Sequence, residues 1–97
     1  MSSFYRSKRW ERVRKFILAR DGYQCKVSAR YGRAVPANTV HHIFPRSDYP
    51  QYQWEAWNLI SVSNSVHDEL HDRTSGALTD KGVDLMQRTA RKYNIEL

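Results

Sequence analysis

The stretch that decides the fold reads His41-His42-Ile-Phe-Pro45, then Trp57-Asn58-Leu59, then His67-Asp-Glu-Leu-His71. It contains all four histidines of the protein. Residues 63–73 are predicted to form a helix, and residues four apart on a helix share one face. The imidazoles of His67 and His71 can therefore meet a single metal ion.

The adjacent histidines His41 and His42 close a β-like run, Thr39 to Ile43, just before a proline. Neighbouring residues of a strand point to opposite faces, so one histidine can complete the metal site while the other points elsewhere. Spacing alone does not say which is which. Asn58 is a neutral amide whose oxygen can hold an imidazole nitrogen in one tautomer, as a general base requires.

These residues resemble the HNH signature of the ββα-metal nucleases, in the version found in DNase colicins and small phage HNH endonucleases. The segment from Ser7-Lys-Arg-Trp10 to Arg20-Asp-Gly-Tyr-Gln-Cys25 is also similar to the leading segment of the phage proteins. The resemblance therefore covers about residues 7 to 73. It implies an α+β fold in which an N-terminal and a C-terminal helix pack around a small ββα-metal core.

The resemblance also implies roles for the site residues. His41, His67 and His71 are expected to bind one divalent ion, His42 to deprotonate the attacking water, and Asn58 to orient His42 or its loop. The implied reaction is one-metal hydrolysis of DNA that leaves 5′-phosphate and 3′-hydroxyl ends. The metal stays open among zinc, nickel, manganese and magnesium. A histidine base predicts activity that falls as the pH drops through about 6.

Many members of the family carry two Cys-x-x-Cys pairs that hold a separate structural zinc. Here the four positions are Cys25, Ser28, Ser63 and Val66. A tetrahedral zinc site needs four good ligands, so no structural zinc is expected. Cys25 is predicted to be a small buried residue rather than a ligand or a nucleophile.

The length and the net charge limit the classes of protein to which this chain can belong. Ninety-seven residues predict a single domain, 1–97, with a core at about 23–73. Sixteen Lys and Arg against ten Asp and Glu give a net charge of +6, which favours a polyanionic partner, although many small soluble proteins are basic. No apolar run approaches the roughly 18 residues of a membrane span, and no signal peptide is recognised. We expect a protein of the bacterial host cytoplasm.

The first half of the chain is predicted to contain one helix and two strands. Ser7 is a suitable N-cap, and apolar residues recur behind it at helical spacing, which predicts a helix over residues 7–20. Short strands are predicted at Tyr23–Val27 and Thr39–Phe44, joined by a loop with glycine and proline. Two strands alone are marginal in water, so this ribbon must pack on helices.

The second half is predicted to contain an irregular stretch at residues 45–57 and then two helices. Residues 59–62 are interpreted as an apolar lead into the metal-binding helix, and a C-terminal helix is predicted over residues 79–93. Residues 45–57 are rich in aromatic side chains, which either stack on bases or form core. Core is favoured because a small domain has little else to bury.

The candidate DNA-contacting residues are cationic. Arg46 follows the His-His-Ile-Phe-Pro turn directly and is a candidate phosphate clamp. Lys8, Arg9 and Arg12 belong to the basic face of the N-terminal helix, which either tracks phosphates or is simply solvated. No sequence-reading element is recognised, so weak specificity and contacts to the DNA backbone are expected.

Three functions compete. The leading hypothesis is a phage-type HNH DNA endonuclease, and small phage members often act beside genome packaging, which makes a terminase a partner to consider. The second is a DNA-binding domain that keeps the metal but does not cleave; retention of His42 and Asn58 argues against it. The third is a toxin nuclease domain, which the lack of a translocation or receptor-binding sequence disfavours.

Overall fold

The described part of this computed structural model, residues 3–97, combines helices with a two-stranded sheet, as the α+β prediction requires. The first two residues of the predicted domain lie outside it. The helices are α1 (Lys8–Arg20), α2 (Lys26–Arg30), α3 (Asn64–Leu70) and α4 (Asp80–Tyr93), and the strands are β1 (Thr39–His42) and β2 (Leu59–Val62). Short 3-10 turns lie at Phe4–Arg6, Pro50–Tyr52 and Ala56–Asn58.

The sheet pairs β1 with β2, which corrects the predicted ribbon. The two strands are antiparallel, with Thr39 opposite Val62 and His42 opposite Leu59. The residues interpreted as a lead into the metal-binding helix are thus the second strand. β1 ends at His42, two residues earlier than predicted, because the amide N–H of Phe44 donates to the side chain of Asn58 rather than to a strand.

The strand predicted at Tyr23–Val27 is wrong. Gly22 and Tyr23 adopt left-handed backbone angles, with φ of 64° and 58°, and reverse the chain after α1. Cys25 then caps α2, because its Sγ accepts a hydrogen bond from the backbone N–H of Ser28 at 3.5 Å. Only Gln24 retains β pairing, as a single bridge to Pro36.

Cys25 is fully buried, as predicted, but it is also a hydrogen-bond acceptor. The hydroxyl of Ser28 lies 3.3 Å from its Sγ, and Ser63 interacts with the same sulfur. Burial raises the pKa of the thiol, but the hydrogen bonds from Ser28 and Ser63 together lower it below its ordinary value. Ser28 and Ser63 stand at two of the four positions considered above for a structural zinc, and here they join α2 to the start of α3 through the sulfur.

The first helix begins where the sequence predicts. The hydroxyl of Ser7 accepts from the backbone N–H of Trp10 at 3.0 Å, a cap that stabilises a helix by about 1 kcal/mol. Trp10, Ile17 and Leu18 face the core, and Phe4 from the preceding turn packs with them. α1 therefore covers one side of the sheet.

Two apolar clusters form the interior. The larger one joins α1 to both strands and to Leu70 of α3. The smaller one centres on Phe44, whose ring contacts Tyr49, Tyr52 and Trp57 at centroid distances of 5.0–5.7 Å, beneath Ala90 of α4. Core is thus the main role of these aromatic residues, as favoured from the sequence. In residues 3–97 no helix has the length and apolar character to cross a membrane.

Close backbone contact fixes the start of α4 on the end of α3. Thr79, the predicted first residue of this helix, caps it and donates from its hydroxyl to the carbonyl of Glu69 and from its N–H to the carbonyl of Leu70. Gly82 lies so close to the Leu70 carbonyl that a Cβ would clash with it. This contact holds the backbone immediately before His71.

Candidate metal centre

Three imidazoles from two parts of the chain meet at one point. His41 lies on β1, His67 on α3, and His71 directly after α3. Their ring centroids are 5.0–5.5 Å apart, and each ring offers one nitrogen within 4.8 Å of those of the other two. The structure therefore brings together the three residues that the sequence singled out as ligands.

His71 reaches this point from outside the helix, which corrects the prediction of one helix over residues 63–73. α3 ends at Leu70, and His71 is extended, with φ −125° and ψ 139°, and pairs with Leu78. Its Nδ1 lies 3.1 Å from the carbonyl oxygen of Gly76. Because a carbonyl only accepts, the neutral ring carries its proton on Nδ1 and keeps the Nε2 lone pair for an ion.

His41 is the clearest sign that the cluster fits a metal. Its side chain is 1% exposed, and within residues 3–97 neither ring nitrogen has a hydrogen-bond partner. A buried polar group left without a partner costs about 1–3 kcal/mol, and an ion bound by one nitrogen would remove part of that cost. Burial, with the neighbouring His71 and His67, holds the pKa of His41 well below its ordinary value. The ring is thus neutral, the form that binds metals.

The candidate ligand His67 is also affected by burial. Burial lowers the pKa of His67, and His71 lowers it further, while Asp68 opposes the change. Neutral imidazoles suit zinc, nickel and copper better than magnesium, which prefers oxygen ligands. Three protein ligands leave coordination positions open, as catalytic sites do, whereas structural zinc sites are closed by four.

His42 points away from the cluster and is held in one tautomer. Its Nε2 lies 3.1 Å from the backbone carbonyl oxygen of Gln53, so Nε2 carries the proton and Nδ1 is left as an acceptor. The ring stacks on Trp10 at 5.3 Å, and Phe4 contacts it edge-on. Burial is the main cause that lowers the pKa of His42; Arg46 adds to it and the Gln53 carbonyl opposes it.

Asn58 supports the loop around His42 rather than the imidazole, so only the second of its two predicted roles matches the geometry. Its Oδ1 accepts from the N–H of Phe44 at 2.7 Å. Its Nδ2 donates to the carbonyls of Phe44 and Tyr52 at 3.2 and 3.1 Å. The group that orients the imidazole is the Gln53 carbonyl, which sequence reasoning missed because a backbone carbonyl has no residue-type signal.

A groove of about 530 Å³ runs past these histidines. Its lining includes His42, His67 and His71, together with Tyr5, Trp10, Arg14, Asn38 and Arg46. Arg46, the predicted phosphate clamp, lies over the Phe4 ring at 4.2 Å and donates to the side-chain oxygen of Gln53 at 3.1 Å.

The three cations predicted on α1 do not line this groove. Lys8 and Arg12 are exposed, and the guanidinium of Arg9 lies 4.0 Å from the ring centre of Trp54. Arg14 of the same helix lines the groove instead. The sequence did contain a signal for it, because Arg14 is one helical turn after Trp10 and shares its face.

Two antiparallel strands and the helical segment after them bring three imidazoles to one point, and a fourth imidazole lies beside them. This arrangement is that of a ββα-metal site. No protein-family model and no curated protein matches the chain. The solved structures include a similar chain, the HNH endonuclease of the deep-sea thermophilic bacteriophage GVE2 with a manganese ion. The two are 32% identical over 68% of this chain and 72% of that one, with a TM-score of 0.66. This chain belongs to the HNH endonuclease family.

Proposed function

We propose that this protein is a metal-dependent DNA endonuclease that hydrolyses phosphodiester bonds by a one-metal mechanism. The observation that carries the proposal is the placement of His42 on the same groove as His67 and His71, whose rings converge with that of His41. The similar phage protein is an HNH endonuclease with a manganese ion, which supports the same activity here.

The three converging imidazoles would hold the divalent ion. When bound, such an ion supplies Lewis-acid stabilisation of the charge on the phosphate and on the leaving oxygen. The chain contributes neutral donors for it, because burial keeps the pKa of His41 and of His67 below the ordinary value. The Gly76 carbonyl keeps the Nε2 lone pair of His71 available.

His42 would act as the general base. Its Nε2 proton is bonded to the Gln53 carbonyl, which leaves Nδ1 to accept a proton from water. Its lowered pKa keeps the ring neutral at pH 7, so the base is ready without prior deprotonation. Trp10 restricts the ring by stacking on it, and Asn58 restricts the loop that carries the Gln53 carbonyl.

DNA is the substrate that the charges favour. The net charge of +6 attracts a polyanion, and Arg46 beside His42 can contact a phosphate. Because these are backbone contacts, we propose low sequence specificity. A phage origin, action in the host cytoplasm and a terminase partner are part of the same proposal and rest on the family resemblance.

The test is cleavage of supercoiled plasmid with manganese, zinc, nickel or magnesium, with and without a chelator. We expect metal-dependent cleavage and a fall of about 10²–10⁴-fold for His42→Ala, the contribution typical of a general base. The control is metal-dependent thermal stabilisation of His42→Ala, which shows that the metal site survives. Plasmid that is bound and never nicked by the unmodified protein would make the chain a binding module and end the proposal.

A further inference from the structure

The groove beside the histidines contains a second arginine. Arg14 is partly buried, and its Nη2 donates to the backbone carbonyl of Asn38 at 2.6 Å. This bond ties α1 to the residue before β1 and fixes the direction of the guanidinium. A guanidinium has five N–H donors, so most of them remain for another acceptor.

Arg14 has no acidic partner among residues 3–97, so its charge is left for another anion. The ion pairs among residues 3–97 use other cations, Lys15, Arg20, Lys81 and Arg88. The groove lining contains two arginines and three histidines but no Asp or Glu. The cavity between α2, α3 and α4, by contrast, is lined by Glu69, Asp80 and Asp84 as well as by cations. The histidine groove is thus the one of these two that suits an anion.

Arg14 and Arg46 lie at opposite ends of β1. Arg14 contacts Asn38, just before the strand begins, whereas Arg46 is near His42, where the strand ends. The rise of a strand separates residues 38 and 42 by about 13 Å, so the two arginines act at separate points along the groove. His42 stacks on Trp10, one helical turn or about 6 Å along α1 from Arg14.

We propose that Arg14 binds a backbone phosphate of the DNA on one side of the scissile bond, while Arg46 binds the other side. This inference rests on the proposed function, because it takes DNA as the substrate. The groove then holds one DNA strand along β1, clamped at both ends. Arg14 recognises phosphate and not base, so it adds affinity without sequence preference.

The main test compares Arg14→Gln with Arg12→Gln. Both variants lose one positive charge from α1, but residues 12 and 14 differ by about 200° around the helix, and only residue 14 lines the groove. Binding of a labelled duplex is measured with chelator present, so that no cleavage occurs, over a series of salt concentrations. We expect Arg14→Gln to weaken binding about tenfold and to reduce the slope of log K against log salt by about 0.9.

Arg12→Gln should change the affinity less than Arg14→Gln does, by about twofold at most, because an exposed helix charge acts on DNA mainly through long-range attraction. Equal losses for the two variants would overturn the inference, since the position in the groove would then have no effect. The loss for Arg14→Gln should be the same for duplexes of different sequence.

A second measurement avoids the question of whether Arg14→Gln folds. The unmodified protein is treated with phenylglyoxal, which modifies guanidinium groups, and the extent of modification at each arginine is read by mass spectrometry. We expect DNA to protect Arg14 more than Arg12. Equal protection of both residues would contradict the proposal.

The outcomes separate this inference from the proposed function. If the unmodified protein never cleaves DNA, the proposed function fails, while the binding and protection data still report on Arg14. If the unmodified protein cleaves and Arg14 behaves like Arg12, only the two-ended clamp fails.

Discussion

Asn58 shows how one buried side chain can support the segment of chain next to the candidate site. Asn58 is fully buried and satisfies three backbone groups of the segment between β1 and β2. That segment includes Gln53, whose carbonyl holds His42 in one tautomer. Asn58 therefore affects the orientation of His42 through the backbone and not by direct contact with its imidazole.

Asn58→Ala should destabilise the protein by about 3–5 kcal/mol. The substitution leaves the N–H and the carbonyl of Phe44 without partners, each at a cost of about 1–3 kcal/mol, and the Tyr52 carbonyl keeps only its bond from the N–H of Glu55. Urea unfolding measures the loss. Gln53→Ala is the matched control, because it removes a side chain from the same segment but keeps the carbonyl, and it should cost less than about 1 kcal/mol. A similar cost for both variants would mean that Asn58 is not the support of this segment.

At the scale of secondary-structure elements, the end of α1 is clamped to β2. Arg20 donates to the carbonyls of Ala56 and Leu59 at 2.9 and 2.7 Å, and also to the carboxylate of Asp21. That carboxylate accepts from the N–H of Ser61 at 3.0 Å, and its side chain is only 6% exposed. The clamp holds the strand opposite His41 against the helix that carries Trp10.

The contacts of Arg20 and Asp21 predict that the free energy of unfolding falls in acid. Burial of Asp21 raises the pKa of its carboxyl, but hydrogen bonds from Arg20 and Ser61 outweigh burial and hold the pKa below its ordinary value. A carboxyl with a depressed folded pKa stabilises the protein above its unfolded pKa of about 4 and loses that contribution as the pH falls through the folded pKa. At pH 7 we expect Asp21→Asn to cost about 1–3 kcal/mol.

The measurement is the free energy of unfolding of the unmodified protein and of Asp21→Asn between pH 7 and pH 3. The difference in unfolding free energy between the two proteins should shrink below about pH 4. Protonation of Asp21 then removes from the unmodified protein the same carboxylate contacts that the substitution has already removed. Other carboxylates are common to both proteins and cancel in the comparison. A difference that stays constant down to pH 3 would contradict this account of Asp21.

The whole molecule is small enough for a bound ion to matter to its stability. Ninety-seven residues bury a modest core, and His41 places two unpartnered ring nitrogens inside it. The three converging imidazoles come from β1 and from both sides of the α3 terminus, so an ion bound by them would cross-link the two strands to the helical half of the chain. Metal binding and folding should therefore be coupled.

Adding metal should raise the melting temperature. At a free concentration of about 100 times Kd the gain is about 2.7 kcal/mol, which for a domain of this size corresponds to roughly 10–20 °C. Thermal unfolding with manganese or zinc, compared with chelator, measures it. His71→Ala should lose most of the shift, whereas His42→Ala should keep it. An equal shift in both variants would place the ion elsewhere.

Features that depend on a few neighbouring residues could be predicted from the amino-acid sequence alone. The Ser7 and Thr79 caps, the position of α1 and the alternation of His41 and His42 follow from local hydrogen bonds and backbone periodicity, which act within about one turn or two residues. The resemblance to the HNH motif named the three imidazoles that the structure brings together, and their roles as ligands stay a prediction.

The contacts between distant segments of the chain became clear only from its three-dimensional fold. Residues 59–62 form a strand because they pair with β1. Residues 23–27 do not form a strand, because the chain reverses at Gly22 and Tyr23. The Gln53 carbonyl and the groove position of Arg14 depend on contacts made across 11 and 24 residues. Such contacts are set by the packing of the whole chain, so no local pattern of side chains encodes them.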